Sequence, residues 1–179
     1  MKKTAVLLYP QFSEYELSVA LSILMQGEKP VKTVSLDKSP IKGESGLTCI
    51  PDMSFEDLNL DEIDSLLLPG CMDIFSLENK EKYSEFVKQA SKGELVIASI
   101  SSSPMLLAEA GVLVGRKYTV GLMKESMEES GVFEMENYSD ELVVQDGNII
   151  TARGRGFIRF GCCLGNALGL AFNERWYRE

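Results

Sequence analysis

The sequence contains no histidine, although it has 179 residues. A serine–histidine–aspartate triad, a cysteine–histidine dyad and a zinc site with histidine ligands are therefore excluded within this chain. A homo-oligomer would lack histidine in every subunit. Any catalysis must use carboxylates, hydroxyls, thiols, amines and backbone dipoles.

Cysteine is scarce, and its spacing does not indicate a metal site. The four cysteines are Cys49, Cys71, Cys162 and Cys163, and no C-x-x-C motif occurs among them. A disulfide between the adjacent Cys162 and Cys163 is disfavoured because it would close a strained ring. We expect Cys49, Cys162 and Cys163 to lie in the core, and the sequence predicts neither a cofactor nor a metal ion.

Long apolar runs and excess positive charge are also lacking. The first apolar run covers only residues 4–9, which is too short for a signal-peptide core or a membrane span. Lysine and arginine number 18 against 27 acidic residues, giving a net charge of -9. Nucleic acids and membranes are therefore not expected as partners, and the sequence predicts a cytoplasmic protein with reduced cysteines.

Short apolar runs alternate with helical patterns in the first two thirds of the chain. Runs at 5–9, 31–36, 65–68 and 95–98 predict strands covered on both faces. Helices are predicted at 14–26, with Ser13 as N-cap, at 81–91 and at 104–110. The alternation predicts an α/β sandwich with a mostly parallel sheet. The length and the absence of a linker predict a single domain over residues 1–179.

The last third of the chain has a different pattern. Asp146-Gly147 between two short apolar runs, 142–145 and 148–151, predicts a β-hairpin. A helix is predicted near 157–170, with small residues at Gly161, Gly165 and Gly169. We interpret these glycines as close packing in a soluble protein, because charged and polar residues interrupt the stretch.

Residues that follow the predicted strands could form a reactive site, because ligands of open parallel sheets bind at the carboxyl ends of the strands. Ser101 lies in a tight serine-rich turn before Pro104, which suits the first position of a helix. Such a turn resembles the nucleophile elbow of hydrolases. Gly70 and Cys71 follow another strand and could donate backbone N–H groups to an oxyanion. Glu16 lies in the first turn of the first helix, facing the same edge.

Together, in this order, these motifs resemble the DJ-1/PfpI superfamily, also catalogued as the peptidase C56 family within the class I glutamine-amidotransferase-like fold. The resemblance covers nearly the whole chain through AVLLYPQFSEYEL, GLTCIPDMSFEDL, SLLLPGC, VIASISSSPMLLAEAGVLVGRK and DGNIITARGRG. It implies a flavodoxin-like three-layer α/β/α sandwich with an added β-hairpin, assembled as a homodimer. It also implies an elbow cysteine that is hydrogen-bonded to a glutamate of the first helix.

The resemblance implies the catalytic residues Glu16, Gly70, Cys71, Ser101 and Ser102. Glu16 matches the family glutamate, and Gly70 matches the glycine of the oxyanion loop, where Cys71 replaces a second glycine. Ser101 stands where the family has its elbow cysteine, and Ser102 stands where the proteolytic branch has histidine. The backbone N–H groups of residues 70, 71 and 102 would hold the oxyanion.

Serine at the elbow leaves two hypotheses for the function. A serine hydroxyl needs a base, and Glu16, with an ordinary pKa of about 4.3, is a poor one unless burial raises that value. By resemblance the protein is a peptidase-like hydrolase acting on small electrophiles, with a role in stress response, although the lack of histidine argues against true peptidase activity. Alternatively, it is a non-catalytic module that binds or senses a small molecule in the same pocket.

Several side chains have alternative interpretations. Ser101 either acts as a nucleophile or only caps a helix and hydrogen-bonds Glu16 or a ligand; in either case we expect a strained backbone there. Cys71 is either a displaced nucleophile, with a pKa lowered by loop dipoles, or an unreactive loop thiol. A local basic cluster either binds an anion or pairs with surface acids or a dimer partner. Its members are Arg153 and Arg155, in the late R-G-x-G motif at residues 153–156, and Arg159.

Overall fold

The computed structural model describes residues 1–178, so Glu179, the last residue of the predicted domain, lies outside it. Most of the strands form one sheet, and the α-helices flank it. The strands are β1 (Lys3–Leu7), β2 (Val31–Ser35), β3 (Ile41–Lys42), β4 (Thr48–Cys49), β5 (Met53–Ser54), β6 (Ile63–Leu68), β7 (Val96–Ile100), β8 (Val143–Asp146) and β9 (Ile149–Ala152). The α-helices are α1 (Glu14–Gln26), α2 (Lys80–Ala90), α3 (Pro104–Glu109), α4 (Lys124–Ser130) and α5 (Phe157–Ala167).

The main sheet has seven strands in the order β5-β2-β1-β6-β7-β9-β8. All neighbours pair in parallel except β8, which pairs antiparallel with β9 at the edge. The predicted α/β sandwich with a mostly parallel sheet and an added β-hairpin is therefore confirmed. Because β1, β6 and β7 are adjacent and parallel, the segments that follow them meet at one edge.

The central strands are fully buried, as continuous apolar runs predict. Leu7, Leu66, Leu67 and Ile97 have no exposed surface. The flanking helices pack in two pairs, α1 with α5 and α2 with α3. None of the helices within residues 1–178 combines the length and the apolar composition needed to cross a membrane.

The predicted helix bounds differ from the structure by one residue at both ends of α2 and at the end of α3, and by three residues at the end of the last helix. The last helix stops at Ala167 rather than residue 170, because Gly169 adopts a left-handed conformation with φ +64 and closes the helix end. Ser13 holds the N-cap position of α1, but its hydroxyl donates to Glu44 at 2.7 Å and does not cap the helix. The predicted N-cap position is therefore confirmed, but the capping hydrogen bond is not made.

Candidate active site

Ser101 follows β7 and has a strained backbone, with φ +65. Two hydrogen bonds hold this conformation: the Ser101 N–H donates to the Ala152 carbonyl at 2.8 Å, and the Gly121 N–H donates to the Ser101 carbonyl at 2.6 Å. Left-handed backbone is costly for a residue with a side chain and persists only when its surroundings impose it. The expected strain at the elbow is confirmed.

Ser101 does not cap the helix that follows it. The N-cap position of α3 belongs to Ser103, whose side chain makes no capping hydrogen bond. The capping part of that alternative is therefore wrong, whereas an interaction of the Ser101 hydroxyl with Glu16 is present.

Glu16 is 2% exposed, and its carboxylate receives the Gly70 N–H at 2.7 Å. Burial raises the pKa of Glu16, while the hydrogen bond from Gly70 and interactions with the hydroxyls of Ser101 and Tyr15 partly oppose the rise. Among these contacts, the well-aligned hydrogen bond is the one from Gly70. The raised pKa makes Glu16 a better proton acceptor than an exposed glutamate and favours its protonated form.

Two glycines allow backbone to approach the Glu16–Ser101 pair closely. A Cβ atom on Gly70 would lie 2.6 Å from Ser101 Cβ and 2.7 Å from Glu16 Oε2. A Cβ atom on Gly154 would lie 2.7 Å from Glu16 Oε1 and 2.9 Å from the Tyr15 hydroxyl oxygen. Any larger residue at either position would displace the carboxylate or the elbow.

The backbone N–H groups after β6 already donate to other groups of the protein. The Gly70 N–H binds Glu16, and the Cys71 N–H donates to Ser102 Oγ at 3.2 Å. The Ser102 hydroxyl in turn donates to the Cys71 carbonyl at 3.3 Å. Two of the donors expected for an oxyanion are thus engaged inside the protein.

A cavity of about 350 Å³ opens beside the elbow, and we call it the elbow cavity. Its size is at the lower end of the range for small-molecule sites. Apolar side chains, serine hydroxyls and one carboxylate line it: Cys71, Met72, Asp73, Ile74, Phe75, Ser101, Ser102, Gly121, Leu122, Met123 and Ser126. Within residues 1–178, no group of three or more histidine, cysteine, aspartate or glutamate side chains is arranged to hold a metal ion.

The sequence model of the DJ-1/PfpI family matches residues 2–162. The chain belongs to this family. It is 32% identical over 148 residues to Deglycase PfpI of Pyrococcus furiosus, covering 82% of this chain and 86% of that protein. It is also 32% identical over 160 residues to Protein DJ-1alpha of Drosophila melanogaster, covering 87% of this chain and 71% of that protein.

Solved structures of family members share the fold. A DJ-1 superfamily protein from Agrobacterium tumefaciens superposes with a TM-score of 0.87 at 22% identity, over 98% of this chain and 94% of that chain. A thiJ/pfpI family protein from Bacillus anthracis gives a TM-score of 0.87 at 24% identity, over 98% and 88% of the two chains.

The structure brings the five predicted site residues of this family member into one cluster. Glu16, Gly70 and Ser101 surround the elbow, and Cys71 hydrogen-bonds Ser102 beside them. Their catalytic roles stay predictions. The sequence analysis did not predict three neighbours of the site, Tyr15, Gly121 and Gly154. Tyr15 is adjacent to Glu16 in the chain, and Gly154 belongs to the R-G-x-G motif that resembles the family, so both could have been found. The sequence gives no signal for Gly121.

Of the two alternatives for Cys71, the structure supports the unreactive loop thiol. Cys71 is only 9% exposed, and burial raises the pKa of its thiol to about 11. The thiol is therefore protonated at neutral pH and is a poor nucleophile. Cys49, Cys162 and Cys163 are half-buried rather than core residues, and burial raises the pKa of Cys162 and of Cys163.

The basic cluster lies away from the elbow cavity. The Arg153 guanidinium donates to the Tyr138 hydroxyl and pairs with Asp140 at 3.4 Å. Arg155 and Arg159 are exposed. None of the three lines the elbow cavity. For Arg153, pairing with a surface acid is the alternative that the structure supports.

Proposed function

We propose that the protein is a small-molecule-binding member of the DJ-1/PfpI family that holds neutral carbonyl compounds in the elbow cavity and does not hydrolyse peptides. One observation carries this proposal: the Gly70 and Cys71 N–H groups, which an oxyanion would need, already donate to Glu16 and Ser102. A hydroxyl stands where the family has a thiol, and the chain has no histidine to protonate a leaving amine.

The chemistry of the cavity favours an uncharged ligand. Asp73 lines the cavity, Glu16 lies directly behind Ser101, and the chain carries a net charge of -9. An anionic ligand would be repelled. When Glu16 is protonated it can donate to Ser101 Oγ, so that the Ser101 hydroxyl is free to donate to a carbonyl oxygen. Affinity should therefore decrease as the pH rises through the raised pKa of Glu16.

Titration with 2-butanone, followed by backbone amide chemical shifts, tests the proposal. We expect saturable shifts at residues 71, 101, 102 and 121, and a dissociation constant that increases roughly threefold to tenfold in Ser101→Ala, which is the range for losing one hydrogen bond. Ser91→Ala is the matched control, because its hydroxyl bonds only the Lys88 carbonyl at the end of α2. Shifts confined to other parts of the molecule, or unchanged affinity in Ser101→Ala, would show that the elbow is not the binding site.

Hydrolysis of small activated esters is a second candidate, favoured by the raised pKa of Glu16 next to the Ser101 hydroxyl. In this reaction Glu16 accepts the hydroxyl proton while Ser101 Oγ bonds to the acyl carbon and the bond from that carbon to the phenolate oxygen breaks; Glu16 then gives the proton to solvent. In the second step Glu16 accepts a proton from water, the water oxygen bonds to the acyl carbon, and the bond to Ser101 Oγ breaks as Ser101 takes the proton back and the acid leaves. The relative from Pyrococcus furiosus is named a deglycase, which fits action on small electrophiles. Release of nitrophenolate from 4-nitrophenyl acetate, abolished in both Ser101→Ala and Glu16→Gln, would replace the binding proposal with this one.

A further inference from the structure

A second cavity of about 410 Å³ lies next to the elbow cavity. Phe75 and Ser126 line both cavities, so the two spaces meet between the loop after β6 and helix α4. Ser126 and Ser130 lie one turn apart on the same face of α4 and both line the second cavity. The second cavity therefore extends away from Ser101 along about one helical turn, about 6 Å. We call it the tail groove.

Four exposed apolar side chains border these two neighbouring cavities. Met72 and Met123 border the elbow cavity, Val132 borders the tail groove, and Phe75 borders both. Each of the four is between 36% and 69% exposed. A single exposed apolar residue needs no explanation, but Phe75 and Val132 lie together on the second cavity, whose other lining side chains are Met105, three charged residues and two serines. Apolar contact with a ligand there is therefore confined to Phe75, Met105 and Val132.

The charges in the tail groove disfavour a ligand that carries a negative charge on the part lying in the groove. Glu109 and Glu129 are acidic, and the one cation that lines the groove, Lys80, is paired with Glu109 at 2.9 Å. The Ser84 hydroxyl donates to the second oxygen of Glu109 at 2.6 Å, which fixes that carboxylate next to Lys80. A carboxylate placed in the groove would have to approach Glu129 and compete with Glu109 for Lys80.

We propose that the ligand of this protein is an elongated neutral carbonyl compound whose oxygen lies at Ser101 and whose aliphatic tail passes Phe75 into the tail groove. This inference rests on the proposed binding at the elbow and adds the chemical class of the tail. The tail contacts the Phe75 ring, the Met105 side chain and Val132, and gains affinity by removing apolar surface from water. The groove discriminates by length and by charge at the far end of the tail.

A homologous series of methyl ketones tests the inference. Dissociation constants are measured from backbone amide shifts for 2-butanone, 2-pentanone, 2-hexanone and 2-octanone. We expect affinity to increase about threefold for each methylene that enters the groove. Shifts should spread from residues 101 and 121 to residues 126 and 130 as the chain lengthens. 7-Oxooctanoate, which carries a carboxylate at the far end of a similar chain, should bind at least about tenfold more weakly than 2-octanone.

Variants of the groove are compared by one quantity, the dissociation constant of 2-butanone divided by that of 2-octanone. Phe75→Ser and Val132→Ser should each reduce this ratio at least about threefold. Val114→Ser is the matched control, because Val114 is an exposed apolar residue that lines neither cavity, and it should leave the ratio unchanged.

The outcomes separate the two proposals. If 2-butanone binds at the elbow but affinity does not increase with chain length, the tail groove is overturned and the elbow proposal stands. If affinity still increases with chain length in both Phe75→Ser and Val132→Ser, the increase reflects nonspecific partitioning, and the proposed binding of the tail in the groove is also overturned. Equal binding of 7-oxooctanoate and 2-octanone overturns the charge argument. If no ketone shifts the elbow amides, the elbow proposal is overturned, and the inference that depends on it is overturned too.

Discussion

The side chain at position 101 decides which chemistry the elbow can perform. Ser101→Cys places a thiol beside Glu16, where a protonated carboxyl can donate to an oxidised sulfur and stabilise it. Peroxide should then convert Cys at position 101 to the sulfinic acid, measured as two added oxygen atoms by mass spectrometry of the peptide. We expect this thiol to react faster than any cysteine of the parent protein.

The parent protein provides the comparison for this experiment. Cys71 is buried, and burial raises the pKa of its thiol to about 11, so it should stay unmodified during the same exposure. A thiol at position 101 that reacts no faster than Cys162 or Cys163 would mean that the elbow does not favour an oxidised sulfur.

Glycine at position 70 is required because the elbow and Glu16 occupy the space of a side chain. Gly70→Ala should lower the free energy of unfolding by about 1–3 kcal/mol, the usual cost of overpacking, because its Cβ would lie 2.6 Å from Ser101 Cβ. Urea denaturation measures the change. In Gly93→Ala, the control, the nearest atom to the new Cβ is the Ala90 carbonyl at 3.6 Å, so no such loss is expected. Equal losses in the two variants would contradict the crowding argument.

At the scale of elements, the packing of α1 against α5 depends on which atoms face each glycine of α5. A Cβ on Gly161 would lie 2.9 Å from the backbone nitrogen of Ala20, whereas a Cβ on Gly165 would mainly meet the side chains of Ile23 and Phe172. Side chains can rotate away, but the backbone of a helix moves only with the whole helix. Gly161→Ala should therefore destabilise the protein by about 1–3 kcal/mol, and Gly165→Ala by less.

Urea denaturation of the two variants, with the exposed Asn166→Ala as a control on the same helix, checks this order. A larger loss in Gly165→Ala would mean that Ile23 and Phe172 are less able to move than the helix backbone.

At the scale of the whole molecule, Glu16 makes stability depend on pH. Burial raises the pKa of Glu16 in the folded protein, so the folded state holds its proton more tightly than the unfolded state does. The stabilisation from this group is complete below the ordinary glutamate pKa and is lost as the pH rises through the raised value. Asp52 acts in the opposite direction: the Thr33 N–H lowers its pKa, and its contribution is lost as the pH falls through that lowered value.

Comparison of the parent with Glu16→Gln isolates the contribution of Glu16. Glutamine cannot ionise but can still accept the Gly70 N–H. The free energy of unfolding of the variant should therefore improve relative to the parent as the pH is raised from acidic to neutral, while the Asp52 contribution cancels. The measurement is urea denaturation across that range. A difference that does not change with pH would show that the pKa of Glu16 is the same in the folded and unfolded states.

The fold was largely predictable because its signals are local. The apolar run before Pro10 and the predicted hairpin each depend on a few neighbouring residues, and both elements occur. The two-residue turn of the hairpin is Gly147-Asn148 rather than the predicted Asp146-Gly147, because Asp146 pairs with Ile149 at the end of β8. The resemblance to the family then placed Glu16 and Ser101 at one site. The homodimer, the cytoplasmic location and the single-domain organisation stay predictions.

The sequence by itself determined the alternation of the main strands and helices, the family and the replacement of the elbow thiol by Ser101, but not the short strands β3, β4 and β5 or helix α4. It also excluded histidine chemistry. Only the tertiary structure decided the protonation of Cys71, the engagement of the Gly70 N–H by Glu16, and the pairing of Arg153 with Asp140. The physical reason is that desolvation and hydrogen bonding depend on every atom packed around a group, and most of those atoms come from distant parts of the chain.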